Sequence, residues 1–183
     1  MRTTSWDVTH RIERYAKVLS DIENNAWESI ELTNDEIKDF LDELNSDIYK
    51  MVSKKRNYLI LRLDSFVSDG AAVYDSKILT IEHVLPQTVN TGSIWEQWWP
   101  DITEREQWVH KIGNLLPLAK RTNSQAQNYD FDLKKDKYFK GKAGVASYAL
   151  TTQVLAHQTW TPDIVKQRQK ELLQVYIDKW DLK

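Results

Sequence analysis

The chain has 183 residues, a formal net charge of −2, and 41% hydrophobic against 28% charged residues, the balance of a water-soluble globular protein with room for one well-cored domain. It has no cysteine, which excludes disulfides and any zinc site built on thiolates and suits a reducing, cytoplasmic setting. No apolar run reaches the length of a membrane span, and the N-terminus lacks the apolar core of a signal peptide, so no membrane partner is expected.

Taken in chain order, the first 47 residues are acidic, with five basic side chains against twelve acidic ones. Within them Val8, Ile12, Tyr15, Leu19 and Ile22 fall at helical spacing, which predicts a helix over 6–23. Thr33 followed by Glu36 is a capping box that opens a helix through Leu44. Lys55 to Val67 places Leu59, Leu63, Phe66 and Val67 on one face and reads as a core helix ended by Asp69 and Gly70.

The pattern then changes. Lys77 to Val84 is rich in β-branched and apolar residues and stops before Pro86, as a short strand does. Thr103 to Lys111 reads as a helix with Thr103 and Glu106 as its capping box and Gly113 as its stop, and Asn114 to Leu118 as a second short strand. A helix or turn is expected from Thr122, another helix from Leu133 to Phe139, and a last helix capped by Thr161 with Pro162 at its first position. Its apolar stripe of Val165, Leu172, Tyr176 and Trp180 reads as packing. Residues 111–142 carry eight basic side chains against three acidic ones. That is enough to attract phosphates locally, although charge alone favours a solvated helix face. Trp95, Trp98 and Trp99 read as core in preference to base-stacking platforms.

Chemistry concentrates in three places: Leu79 to Gln87, Ile112 to Leu118, and Asn123, Asn128 and Lys134. Glu82 and His83 at a strand end supply a carboxylate and a base. Oxygen donors suit magnesium or manganese, and an imidazole near its ordinary pKa of about 6.5 can take a proton from water. Taken singly, each residue also has a plain structural reading: a packed histidine, an asparagine in a turn, an asparagine beginning a helix.

Together, Glu82-His83 followed by Pro86-Gln87, then Gly113-Asn114-Leu115, then Asn123, then Asn128, Phe131 and Lys134 resemble the HNH (His-Me finger) nuclease domain that closes GmrSD-type and SspE-type restriction proteins. The flanks resemble it too, Tyr58 to Leu63 before the motif and Trp160 to Ile164 with Arg168 and Leu172 after it, so the likeness covers roughly residues 56–180. It implies an α+β, mostly helical fold, a helical bundle around a small ββα-metal motif, with residues 1–55 a helical N-terminal segment and 56–183 the nuclease domain. It implies an endonuclease that nicks DNA with Mg2+ or Mn2+, the effector of a restriction or anti-phage defence protein. His83 would be the general base, Asn114 would hold the loop that aims it, and Asn123 and Glu82 would bind the metal. Lys120, Arg121, Asn128, Lys134 and Lys137 would meet DNA. In that family a nucleotide-hydrolysing, DNA-sensing domain precedes the nuclease; this chain has no P-loop.

Two alternatives follow from the residues. One is a nucleic-acid-binding or interaction module that keeps the fold without cleaving. The other, a metallohydrolase for another substrate, is disfavoured because His-Glu-x-x-His is absent and His10, His110 and His157 fit no ligand spacing, which leaves His110 a structural role. Neighbouring residues on a regular strand point to opposite faces, so Glu82 and His83 share one site only if the strand bends there.

Overall fold

The computed structural model describes residues 8–26, 31–68, 79–119, 128–136 and 148–182. They fall into two compact units, Met1–Glu43 with Lys183, and Leu44–Leu182.

The first unit contains α1 (Val8–Glu23) and most of α2 (Asn34–Leu44). The capping box ahead of α2 is formed as the sequence predicts. The Thr33 N–H donates to Glu36 Oε2 at 2.9 Å, and the Glu36 N–H donates to Thr33 Oγ1 at 3.2 Å. Arg14 reaches Glu36 Oε1 at 2.8 Å and ties α1 to that cap. The apolar stripe of α1 faces outward, with Ile12, Tyr15 and Leu19 each more than half exposed.

The second unit is mostly helical around one two-stranded sheet. Its elements are a 3-10 turn at Ile48–Lys50, α3 (Ser53–Val67), β1 (Leu79–His83), α4 (Ile94–Trp98), α5 (Ile102–Trp108), a second 3-10 turn at Ile112–Asn114, β2 (Leu115–Ala119), α6 (Phe131–Lys134), α7 (Ala149–Leu155) and α8 (Pro162–Lys179). The mostly helical α+β class expected from the sequence is the observed one. Residues 44–55 belong with this second unit. Leu44 and Ile48 are buried, and Asn45 accepts from Lys111 Nζ at 2.6 Å and from Gln169 Nε2 at 3.0 Å.

β1 and β2 are antiparallel, with Leu79 opposite Ala119 and His83 opposite Leu115. Val84, Leu85, Trp95, Trp99, Val109, Leu116, Phe131 and Trp160 form the core beside this hairpin. Trp95 and Trp99 are therefore core residues. Their indoles donate to the Tyr129 and Trp160 carbonyls at 2.8 and 2.6 Å.

Two local expectations are replaced. The N-cap of α5 is Asp101, whose Oδ1 accepts from the Thr103 N–H at 2.8 Å; Thr103 lies inside the helix. Gly113 sits inside the 3-10 turn and does not stop a helix. A Cβ there would lie 2.6 Å from the Val165 carbonyl, so glycine is required by the close passage of α8. The Gly113 N–H donates to Gln169 Oε1 at 2.6 Å, which fixes that passage. Thr161 occupies the N-cap of α8 in extended conformation with Pro162 following, but its side chain makes no cap hydrogen bond. Asp69, Gly70 and the expected turn from Thr122 lie outside the described residues.

Candidate active site

The site is built where β1 ends. Antiparallel pairing places the residues just before Leu115 beside those just after His83, and Asn114 uses that adjacency fully. Its Oδ1 accepts from the Leu85 N–H at 2.7 Å and from the Trp160 indole at 3.0 Å. Its Nδ2 donates to the Leu85 carbonyl at 3.0 Å and the Val109 carbonyl at 2.9 Å. The Val84 N–H donates to the Asn114 carbonyl at 2.9 Å. An asparagine side chain has four hydrogen-bonding positions, and all four are filled here in a fully buried residue. The backbone after His83 is thereby clamped.

Glu82 and His83 meet different partners, as strand alternation requires. The Glu82 carboxylate lies 3.1 Å from Lys134 Nζ, an ammonium that also donates to the His83 carbonyl at 2.8 Å and the Val84 carbonyl at 3.2 Å. Lys134 is fully buried, with its three donors on three acceptors. Lys134, expected from the sequence to meet phosphate, here forms an internal brace between α6 and the end of β1. Burial raises the Glu82 carboxyl pKa against the opposing pull of Lys134, and burial lowers the Lys134 ammonium against the pull of Glu82.

His83 is 4% exposed, and its ring lies against Tyr49, ring centroids 4.0 Å apart. Its Nε2 is 3.2 Å from His110 Nδ1. Tyr49 also stacks on His110 at 5.6 Å, its N–H donates to the His110 carbonyl at 3.1 Å, and the Arg56 guanidinium covers the tyrosine ring at 4.5 Å. Burial first, then His110, Lys134 and Arg56, push the His83 pKa down to about 3. His83 is therefore neutral at physiological pH, the form able to accept a proton.

Of the remaining expected residues, Asn128 is half-buried in the turn before α6, and Asn123, Lys120, Arg121 and Lys137 lie outside the described residues. The other described lysines of the basic stretch are engaged by protein groups, Lys111 on the Asn45 carbonyl and Lys135 on the His157 carbonyl at 3.0 Å. Tyr49 and Arg56 were not foreseen from the sequence. His110, expected only to have a structural role, packs beside His83 because the hairpin brings the end of α5 next to the end of β1.

The donor chemistry can be tested against a divalent ion. Glu82 is a hard oxygen donor, but its carboxylate is held by Lys134 and by the His83 backbone N–H. No group of three or more His, Cys, Asp or Glu able to hold a metal occurs among the described residues.

A small antiparallel hairpin set in helices, a neutral imidazole at the strand end and an asparagine clamping the following backbone define an α+β domain with one preorganised polar site. The family model of GmrSD restriction endonucleases, C-terminal domain, matches residues 34–175, well over half of the chain, and the chain belongs to that family. No curated protein matches it. No described helix is long and apolar enough to cross a membrane.

Proposed function

We propose that this protein is an endonuclease of the HNH type that hydrolyses phosphodiester bonds in DNA, with His83 as general base, as the effector of a restriction or anti-phage defence protein. The observation that carries the reading is the Asn114 clamp. In a member of a restriction endonuclease family, it fixes the backbone on which a neutral histidine stands. Catalysis rewards a base held in one place before the substrate arrives.

In the reaction, His83 takes a proton from a water molecule aligned with phosphorus. The water oxygen bonds to phosphorus as the bond to the 3′ oxygen breaks, giving a 5′ phosphate and a 3′ hydroxyl. Such a base contributes about 10²–10⁴-fold. Magnesium or manganese is the proposed cofactor, with Asn123 and Glu82 as its donors, and Lys134 must release the Glu82 carboxylate for that carboxylate to serve. Bound there, the ion would neutralise charge on the phosphate. Lys120, Arg121, Asn128 and Lys137 are the proposed DNA contacts, and a DNA-sensing, nucleotide-hydrolysing domain is the proposed partner. One site per chain cuts one strand at a time.

A second reading, a nucleic-acid-binding module that does not cleave, draws on the near-complete burial of the His83 ring. Conversion of supercoiled plasmid to open circles by the purified chain separates the two. Cleavage that needs the divalent ion, stops with EDTA and falls at least about 100-fold in His83→Ala supports the nuclease. Metal-loaded, folded protein that binds DNA and leaves it intact establishes the module instead.

A further inference from the structure

We propose that Arg56 is a phosphate-binding residue beside His83: its guanidinium holds a backbone phosphate of the DNA strand, and Lys50 extends that contact on the side of His110. The choice of DNA as the ligand rests on the nuclease reading.

Residues 47–62 carry five basic side chains against one acidic one, a denser excess than that of residues 111–142. The fold brings two of the five, Lys50 and Arg56, to the site, and the Tyr49 ring is the link. The His83 ring packs on it with centroids 4.0 Å apart, and the Arg56 guanidinium lies over it at 4.5 Å. After burial, His110 and Lys134, Arg56 is one of the causes that lower the His83 pKa, so its charge is felt at that imidazole. Burial first, and then the charge of Lys50, lower the His110 pKa, which puts Lys50 within reach of the second ring.

A guanidinium has five N–H donors in a planar fork. Arg56 donates from Nε to Asn57 Oδ1 at 3.3 Å and from Nη1 to the Tyr49 carbonyl at 3.0 Å. Its other donors meet no acceptor, and no carboxylate pairs with it, among the described residues. The described lysines of 111–142 are placed differently, since Lys111, Lys134 and Lys135 all donate to protein carbonyls. A half-buried fork with open donors is matched by an anion with two adjacent oxygens, and the non-bridging oxygens of a phosphodiester are such a pair. Lys50 meets Asp47 at 2.8 Å, but an exposed pair of this kind is worth little, and its ammonium can exchange the carboxylate for a phosphate. Support of Tyr49 alone does not account for Arg56. That residue is already held by its N–H on the His110 carbonyl at 3.1 Å and by its contacts with both imidazoles.

Binding of the full chain to a DNA duplex of random sequence, in EDTA and over a range of salt, tests the proposal without cleavage. Arg56→Gln should bind about tenfold more weakly, and its plot of log K against log salt should be shallower by about 0.9, the loss of one phosphate. Arg56→Lys keeps the charge and should keep the slope. Two surface variants make the test independent of how well Arg56→Gln folds: Lys50→Gln should weaken binding, and Asp47→Asn, which releases Lys50, should tighten it, both with the parental melting temperature. A parental slope in Arg56→Gln, parental binding in Lys50→Gln, or a parent chain that binds no DNA overturns the proposal. With magnesium and plasmid, Arg56→Gln should raise KM and keep kcat within about threefold, as loss of uniform binding does. A parent that binds DNA and never nicks it defeats the nuclease reading alone, and the salt slopes still decide whether Arg56 holds a phosphate.

Discussion

The two sides of the β1 terminus are built to opposite rules. Around Asn114 and Lys134 every hydrogen-bonding position of the side chain is matched, four for the amide and three for the ammonium, and both residues are fully buried. Around His83 one ring nitrogen is engaged by His110 and the other has no partner among the described residues. A saturated network makes a rigid frame, since each group in it is costly to move. An unmatched nitrogen held by such a frame is available for chemistry. The clamp supplies position, and the imidazole supplies reactivity.

The strongest way to break this contrast is to open the clamp. Asn114→Ala leaves the Leu85 N–H and carbonyl, the Val109 carbonyl and the Trp160 indole without their partner in the interior. Unsatisfied buried groups cost about 1–3 kcal/mol each, so the expected loss is about 4 kcal/mol once relaxation recovers part of the sum. Urea unfolding measures it, and a loss below about 1 kcal/mol would mean that the four bonds do not hold the site together.

The brace ranks next. Lys134→Met removes the ammonium from Glu82 and from two carbonyls, leaving a carboxylate in a largely buried position. Breaking one half of a buried pair costs about 3–5 kcal/mol, and we expect the lower figure because Glu82 keeps some contact with solvent. Adding Glu82→Gln should restore part of the loss, because the uncompensated charge goes with it. A double-mutant cycle with no coupling between the two positions would show that the brace works through the carbonyls alone.

How much of this was legible in the sequence depends on the distance between partners. The Thr33–Glu36 box could be read directly, because both halves lie within one turn. The strands were readable from texture and punctuation, and the order of the motif from its resemblance to a family. Gly113 was misread as a helix stop because its reason lies in the backbone of Val165, on a helix far along the chain. Lys134 was read as a DNA contact because its acceptors, at and just after the end of β1, lie some 50 residues earlier. The α1 stripe has the spacing of a core face, yet Ile12 and Leu19 are exposed, whereas Val165, Leu172 and Tyr176 of α8 are buried. Periodicity defines a face without naming what covers it. His110 was assigned a structural role, and it packs against His83 and Tyr49 across the hairpin, a partnership that spacing along the chain does not show.

The smallest expected effect is also the most specific to the His83 side. The folded protein holds His83 at a pKa of about 3 against an ordinary value of 6.5. Between those values the unfolded chain binds a proton that the folded chain refuses, so stability falls as pH drops below about 6.5 and keeps falling towards 3. Above 6.5 the group contributes nothing to the slope. One such histidine gives at most about 1.4 kcal/mol per pH unit. His110 and His157, also lowered chiefly by burial, add to the loss with the same sign, while Glu82, raised by burial, acts with the opposite sign above its ordinary 4.5. Subtracting the His83→Gln curve from the parent curve cancels those contributions. Over pH 7 to 5, above most carboxylate titration, the parent should lose about 2 kcal/mol more than the variant. Parallel curves would mean that His83 takes up its proton on folding as readily as in the open chain, and the contrast between a saturated frame and a buried neutral base would then fail on the side that matters for chemistry.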